Sequence, residues 1–156
     1  MIQRVQSIYL FLVFVVAVVL IFFPLATFHT HTADHIFQMN IMGFSGAEGL
    51  GLNLPNVMVI GILTALLGML SLFTIFQYKN RKLQMKLNMG SMFINFGLLA
   101  AIFIYSDNIA AMEEINTKFT YDIAAYFPIV SVLLLILVNR NIRADEKLVR
   151  QSERLR

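Results

Sequence analysis

Over most of this chain, apolar residues do not alternate with polar ones at the helical or the strand period. They run in long blocks separated by short polar stretches. A bilayer core about 30 Å thick is crossed by roughly 20 residues of helix, because backbone in hydrocarbon must satisfy its own hydrogen bonds. Four blocks reach or approach that length, at residues 8–28, 57–78, 87–105 and 123–138. The first carries no charge, and its run of Val13, Val15, Val16, Val18, Val19 and Ile21 is expected to be helical despite its β-propensity, since nothing else spans lipid. Pro24 is expected to kink or end this helix, because it has no N–H to donate and crowds the preceding turn. Arg4 ahead of an apolar run could open a secretory signal, but the run is too long and no small-residue cleavage pattern follows, so the expectation is an uncleaved anchor.

The second and third blocks are joined by a brief basic link, Lys79 to Lys86, which predicts an antiparallel helical hairpin. The fourth block is the shortest and must borrow residues from the Tyr121 and Tyr126 side or from Asn139 onward. The expected fold is therefore an all-α membrane protein with a four-helix transmembrane bundle over residues 1–139 and a basic tail helix over 140–156.

Charge placement then orients the bundle. With four spans, Arg4, Lys79, Arg81, Lys82, Lys86, Arg140, Arg143, Lys147, Arg150, Arg154 and Arg156 share one side, and only Lys118 falls on the other. The positive-inside rule places both termini in the cytoplasm. A model with two or three spans would scatter these cations over both faces. The net charge of +3 is thus read as a topology signal and not as a nucleic-acid footprint.

Two outer connections remain. In the first, residues 29–56, Phe37, Met39 and Ile41 alternate with Gln38, Asn40 and Met42, and Gly43, Gly46, Gly49 and Gly51 follow, which predicts a small β-hairpin-like structure. The second, residues 106–122, carries Glu113 and Glu114 and is expected to hold a short helix.

Composition narrows the chemistry. The chain is 58% hydrophobic and 13% charged over 156 residues, and it contains no Cys, which excludes thiolate catalysis, disulfide exchange and iron–sulfur ligation. A quinone-linked disulfide oxidase is ruled out with them. No Asp, Glu, Lys, Arg or His lies within the four expected spans, whereas proton relays and ion pumps need ionisable groups at depth. Neither a phosphate-cradling Gly loop nor a nucleophile–base set is present, so the expectation is a non-enzymatic protein without a cofactor.

Four sets of residues could still carry a function. His29, His31, Asp34 and His35 gather every histidine of the chain within seven residues and could hold zinc or copper, but the spacing matches no metal signature and a polar interfacial loop is the favoured reading. Gln84, Asn88, Ser91 and Asn95 recur at steps of four, three and four, within about 60° on one helix face. Such a face could line a lipid or small-molecule groove, or bond across helices. Small residues Gly61, Ala65 and Gly68, and Gly90, Gly97 and Ala101, permit close helix approach within the chain or to a partner. Arg143, Lys147, Arg150 and Arg154 form a basic face, again within about 60°, opposite Ile142, Leu148, Val149 and Leu155. That amphipathic helix could lie on anionic headgroups, dock on a partner, or act as a stop-transfer anchor.

Residues 1–10 (MIQRVQSIYL), 78–84 (YKNRKLQ) and 145–156 (DEKLVRQSERLR) resemble the small four-helix membrane proteins of Bacteroidota grouped as domain of unknown function 4293, over the whole chain. The resemblance implies four helices in the cytoplasmic membrane of a Gram-negative cell and brings no activity, ligand or catalytic residue. The combined expectation is an accessory or scaffold subunit that contacts the bilayer and either a membrane-protein partner or a second copy. An outer-face metal-binding protein, and a lipid or small-molecule binder using the third helix, are the alternatives.

Overall fold

The computed structural model describes residues 3–30, 36–48, 53–78, 80–112 and 115–154; for residues 3, 4, 115–118, 148–150 and 152–154 it describes the backbone only. The described residues form four helices, α1 (Gln3–Phe22), α2 (Met58–Phe76), α3 (Arg81–Ala110) and α4 (Phe127–Arg154), with three strands between α1 and α2, β1 (Ala26–Thr30), β2 (Ile36–Met39) and β3 (Phe44–Ser45), and a fourth, β4 (Ile115–Tyr121), between α3 and α4. A short 3-10 turn, Ile123–Tyr126, leads into α4. Each helix contains a segment long and apolar enough to cross a membrane.

The helices form a closed bundle in which α1 packs on α2, α2 on α3, α3 on α4 and α4 back on α1. Buried positions advance by alternating steps of three and four: Gln6, Leu10, Val13, Ala17 and Leu20 on α1, and Ser131, Leu135, Val138, Ile142 and Asp145 on α4. A mean step of 3.5 residues is the seam of a left-handed helical bundle. The polarity is that of a lipid-solvated body. Thr64, Ser71, Gln84, Asn88, Ser91 and Asn95 are buried, while Phe73, Phe76, Phe93, Phe96 and Ile104 are exposed. Hydrocarbon gives no reason to hide apolar groups, and every reason to pair polar ones inside.

Two ends follow from the connections. The α2–α3 link, the start of α1 and the later turns of α4 share one end, since Gln6 on α1 hydrogen-bonds Asp145 on α4. The other end is capped by an antiparallel sheet in the order β3-β2-β1-β4. Phe28 of β1 stacks between Phe37 of β2, at 5.2 Å, and Phe119 of β4, at 5.8 Å.

This sheet corrects three expectations. The chain is not all-α; the first loop's expected hairpin is one part of a four-stranded sheet. The expected first span, 8–28, ends early: α1 stops at Phe22, two residues before Pro24, and Ala26–Phe28 pair with β2 and β4 instead. The second outer loop forms β4 where a short helix was expected, and β4 is held by β1 over Ala26↔Tyr121, Thr27↔Thr120 and Phe28↔Phe119.

Boundaries of α3 also move. The basic link is helical from Arg81, because the Asn80 side chain accepts from the Leu83 N–H at 3.2 Å and caps the helix. As a result Lys82 and Lys86 lie on the first turns of α3. The fourth helix runs unbroken from Phe127 through the expected bundle–tail junction to Arg154.

Candidate functional site

At the end away from the sheet, side chains from three elements converge. Gln6 Nε2 donates to Asp145 Oδ2 at 2.9 Å in a buried bond, and Arg81 Nη1 reaches the Asp145 carbonyl oxygen at 3.4 Å. Gln84 is buried and its Nε2 lies 3.5 Å from the Thr74 carbonyl oxygen. Together with Ser7, Tyr78 and Ile142 these residues line a cavity of about 10 Å³, room for roughly one water molecule. Parts of the three stretches that resemble the family, residues 1–10, 78–84 and 145–156, thus meet at one point. Sequence reasoning placed neither Gln6 nor Asp145 in a site; residues 139 positions apart carry no local signal of contact.

From there a polar ladder runs up the bundle. Asn88 Nδ2 donates to the Leu135 carbonyl oxygen at 3.1 Å, and Asn95 Nδ2 to that of Pro128 at 3.0 Å. Ser91 donates to its own helix at Leu87 O, 3.1 Å away. The expected polar face of Gln84, Asn88, Ser91 and Asn95 is therefore turned inward and used mainly between helices, with the amide donors spent on backbone carbonyls. Asn88 Oδ1, Asn95 Oδ1 and Ser131 Oγ are buried without a hydrogen-bond partner among the described residues. Ser131, a lone hydroxyl in an apolar run of α4, is buried too and was not singled out in the sequence. Beyond Asn95 the seam on α3 turns apolar at Leu98 and Ile102.

The small residues separate into different roles. A β-carbon placed on Gly61 would lie 2.9 Å from the carbonyl oxygen of Ile41, so this glycine admits a loop, not a helix. One on Gly68 would meet Ala17 and Phe14 of α1, and one on Gly90 would meet Leu70 of α2, both at ordinary contact distance. Gly97 has nothing within 4 Å, Ala101 is half-buried, and Ala65 is exposed. Around Ala17, Gly61, Ala65 and Gly68 the wall between α1 and α2 opens into an apolar groove of about 170 Å³, closed at the sheet end by Ile41 and Met42.

At the sheet end, Tyr121 Oη donates to Asp107 Oδ1 at 2.8 Å and Thr27 Oγ1 to Asp122 Oδ2 at 2.8 Å, which tie the sheet to α3 and to the head of the 3-10 turn before α4. Burial, and then the Asp107 carboxylate, push the Tyr121 hydroxyl up to about 12, since both disfavour the phenolate. His29 is half-buried on β1, opposite Ile36. His31, Asp34 and His35 lie outside the described residues, and among the described residues no three His, Cys, Asp or Glu groups come together as a metal site. Arg143 and Lys147 are exposed on α4; Arg150 and Arg154 continue the helix, with side chains outside the described set.

Four helices long and apolar enough to cross a membrane, with polar side chains buried among the apolar ones and large apolar side chains exposed, suggest a helical membrane protein. The chain belongs to the family described as Domain of unknown function (DUF4293), whose model matches residues 2–155. No curated protein matches it.

Proposed function

We propose that the protein is a non-enzymatic accessory or scaffold subunit of a larger assembly in the bacterial cytoplasmic membrane, with both termini cytoplasmic. The observation that carries the subunit reading is the groove between α1 and α2. Its lining of Phe14, Ala17, Val18, Ile21, Gly61, Ala65, Gly68 and Leu72 offers the small-residue floor against which a transmembrane helix packs closely. Association in hydrocarbon is driven by such packing and not by apolar burial itself, so a recess in which Ala17, Gly61, Ala65 and Gly68 sit between larger apolar side chains favours a helical partner over a smooth wall. The cytoplasmic orientation is supported by the cations: among the described residues, all but Lys118 lie at the end opposite the sheet or on the flanking tail.

Because the chain has no cysteine, Ala65→Cys places a sole thiol in the groove. Bifunctional thiol and photoactivatable crosslinking in native membranes is expected to yield a discrete adduct from this position and none from Phe93→Cys on the opposite wall. Recovery of only the monomer from both positions, and in several mild detergents, would overturn the proposal.

A further inference from the structure

The cations at the end away from the sheet occupy particular faces of two helices. On α3, Lys82 and Lys86 are exposed and continue the exposed apolar stripe of Met89, Phe93 and Phe96, all within about 80° of one another. On α4, Arg140, Arg143 and Lys147 are exposed and continue Leu133 and Ile136, again within about 80°. These stripes are the lipid-facing walls of the bundle. The register set by Asn88 with Leu135 and Asn95 with Pro128 brings Lys86 level with Leu137 and Arg140 within about one turn of it.

Depth agrees with azimuth. Lys86 stands 21 residues from Asp107 on α3, about 32 Å, which is one hydrocarbon thickness. Lys86 and Arg140 therefore sit at the edge of the hydrocarbon, and Arg143 and Lys147 lie about 5 and 10 Å farther out, at headgroup level and just above it. Of the nearby carboxylates, Asp145 is turned away from this face, buried against Gln6. A charge that only sets topology must lie on the correct side of the bilayer, but it need not point at lipid. Five cations here do.

We propose that Lys82, Lys86, Arg140, Arg143 and Lys147 form a binding collar for the phosphate headgroups of anionic phospholipids, whose acyl chains run down the apolar stripes of α3 and α4. Arginine pairs with phosphate through its planar fork and lysine through a point charge, and the low-dielectric edge of the bilayer strengthens both. The inference holds whichever leaflet this end faces, and it uses a different wall from the α1–α2 groove.

The test is native mass spectrometry of the full-length chain released from nanodiscs of mixed phosphatidylcholine and phosphatidylglycerol. Phosphatidylglycerol is expected to be enriched among retained lipids, and the enrichment to fall about fivefold for each of Lys86→Gln, Arg140→Gln and Arg143→Gln. Arg140→Lys and Arg143→Lys, which keep the charge, are expected to retain most of it and to guard against a variant that fails to insert. Bound lipid that mirrors the bulk mixture in the wild type, or enrichment that survives the combined Gln variant, overturns the proposal. Displacement of the lipid by millimolar inorganic phosphate would assign the site to a soluble anion and overturn it equally.

Discussion

Gln6, on the second turn of α1, donates a 2.9 Å hydrogen bond to the carboxylate of Asp145, near the far end of α4, and so locks the first and last helices together. A buried carboxylate needs its donors; a bond to a charged group typically contributes about 1.5–3 kcal/mol. Gln6→Ala is expected to lower unfolding free energy by about that amount in graded detergent unfolding. Gln6→Glu is expected to cost more, by setting two carboxylates face to face. A double-mutant cycle with Asp145→Asn that shows no coupling would contradict the lock.

The ladder on α3 predicts an order of effects. Asn88→Ala and Asn95→Ala each remove one interhelical donor together with a buried oxygen that has no partner, so the loss should be small, about 0.6 kcal/mol and below about 1.7. Asn88→Asp keeps the shape but removes the donor and brings a carboxylate into the span, an expense of about 3 kcal/mol. Unfolding measurements that rank Ala as worse than Asp would show that the interior is wetter and more polar than the bundle suggests.

Glycines that look alike in sequence should part ways. Gly61→Ala forces its new methyl group against the Ile41 carbonyl oxygen at 2.9 Å and is expected to loosen the loop over the groove and destabilise the fold. Gly97→Ala has open space around it and should be neutral or stabilising, by up to about 1 kcal/mol of helix propensity. Thermal midpoints of the two variants moving in the same direction would contradict this assignment.

Tyr121 gives a pH signature. Its hydroxyl is held at about 12, above the usual 10 for tyrosine, so the folded state favours the neutral phenol. The corresponding stability is fully present below pH 10 and is lost as pH rises from 10 toward 12. In an ultraviolet titration, a late tyrosinate should appear that vanishes from the profile in Tyr121→Phe. Asp107→Asn should lower the late midpoint only partly, because burial is the larger cause.

Length and apolarity made the four helices legible, since hydrocarbon leaves the backbone few choices. The inward turn of Gln84, Asn88, Ser91 and Asn95 was legible from the same physics, as was the alternation that buries Phe37, Met39 and Ile41. The sheet was only half visible. Residues 26–28 looked like the last turn of a span because they are apolar, and what makes them a strand is β4, more than 80 residues away, supplying partners on one edge while β2 supplies them on the other. Residues 115–121 are rich in β-branched and aromatic types, but two preceding glutamates suggested a helix. The Gln6–Asp145 bond was invisible for the same reason: long-range pairing leaves no periodic trace in sequence. The groove, too, emerges only when Ile41 settles on Gly61 and roofs one end of it.

The account depends most on both ends of the chain and the α2–α3 link sharing one side of the bilayer. Single-cysteine variants Gln151→Cys, Asn80→Cys and Asn53→Cys of this otherwise cysteine-free chain, probed with a membrane-impermeant maleimide on intact cells whose outer membrane has been permeabilised, test it directly. Asn53→Cys is expected to label at once, and Gln151→Cys and Asn80→Cys only after the cytoplasmic membrane is opened. Labelling of Gln151→Cys and Asn80→Cys from opposite sides would contradict the four-span arrangement.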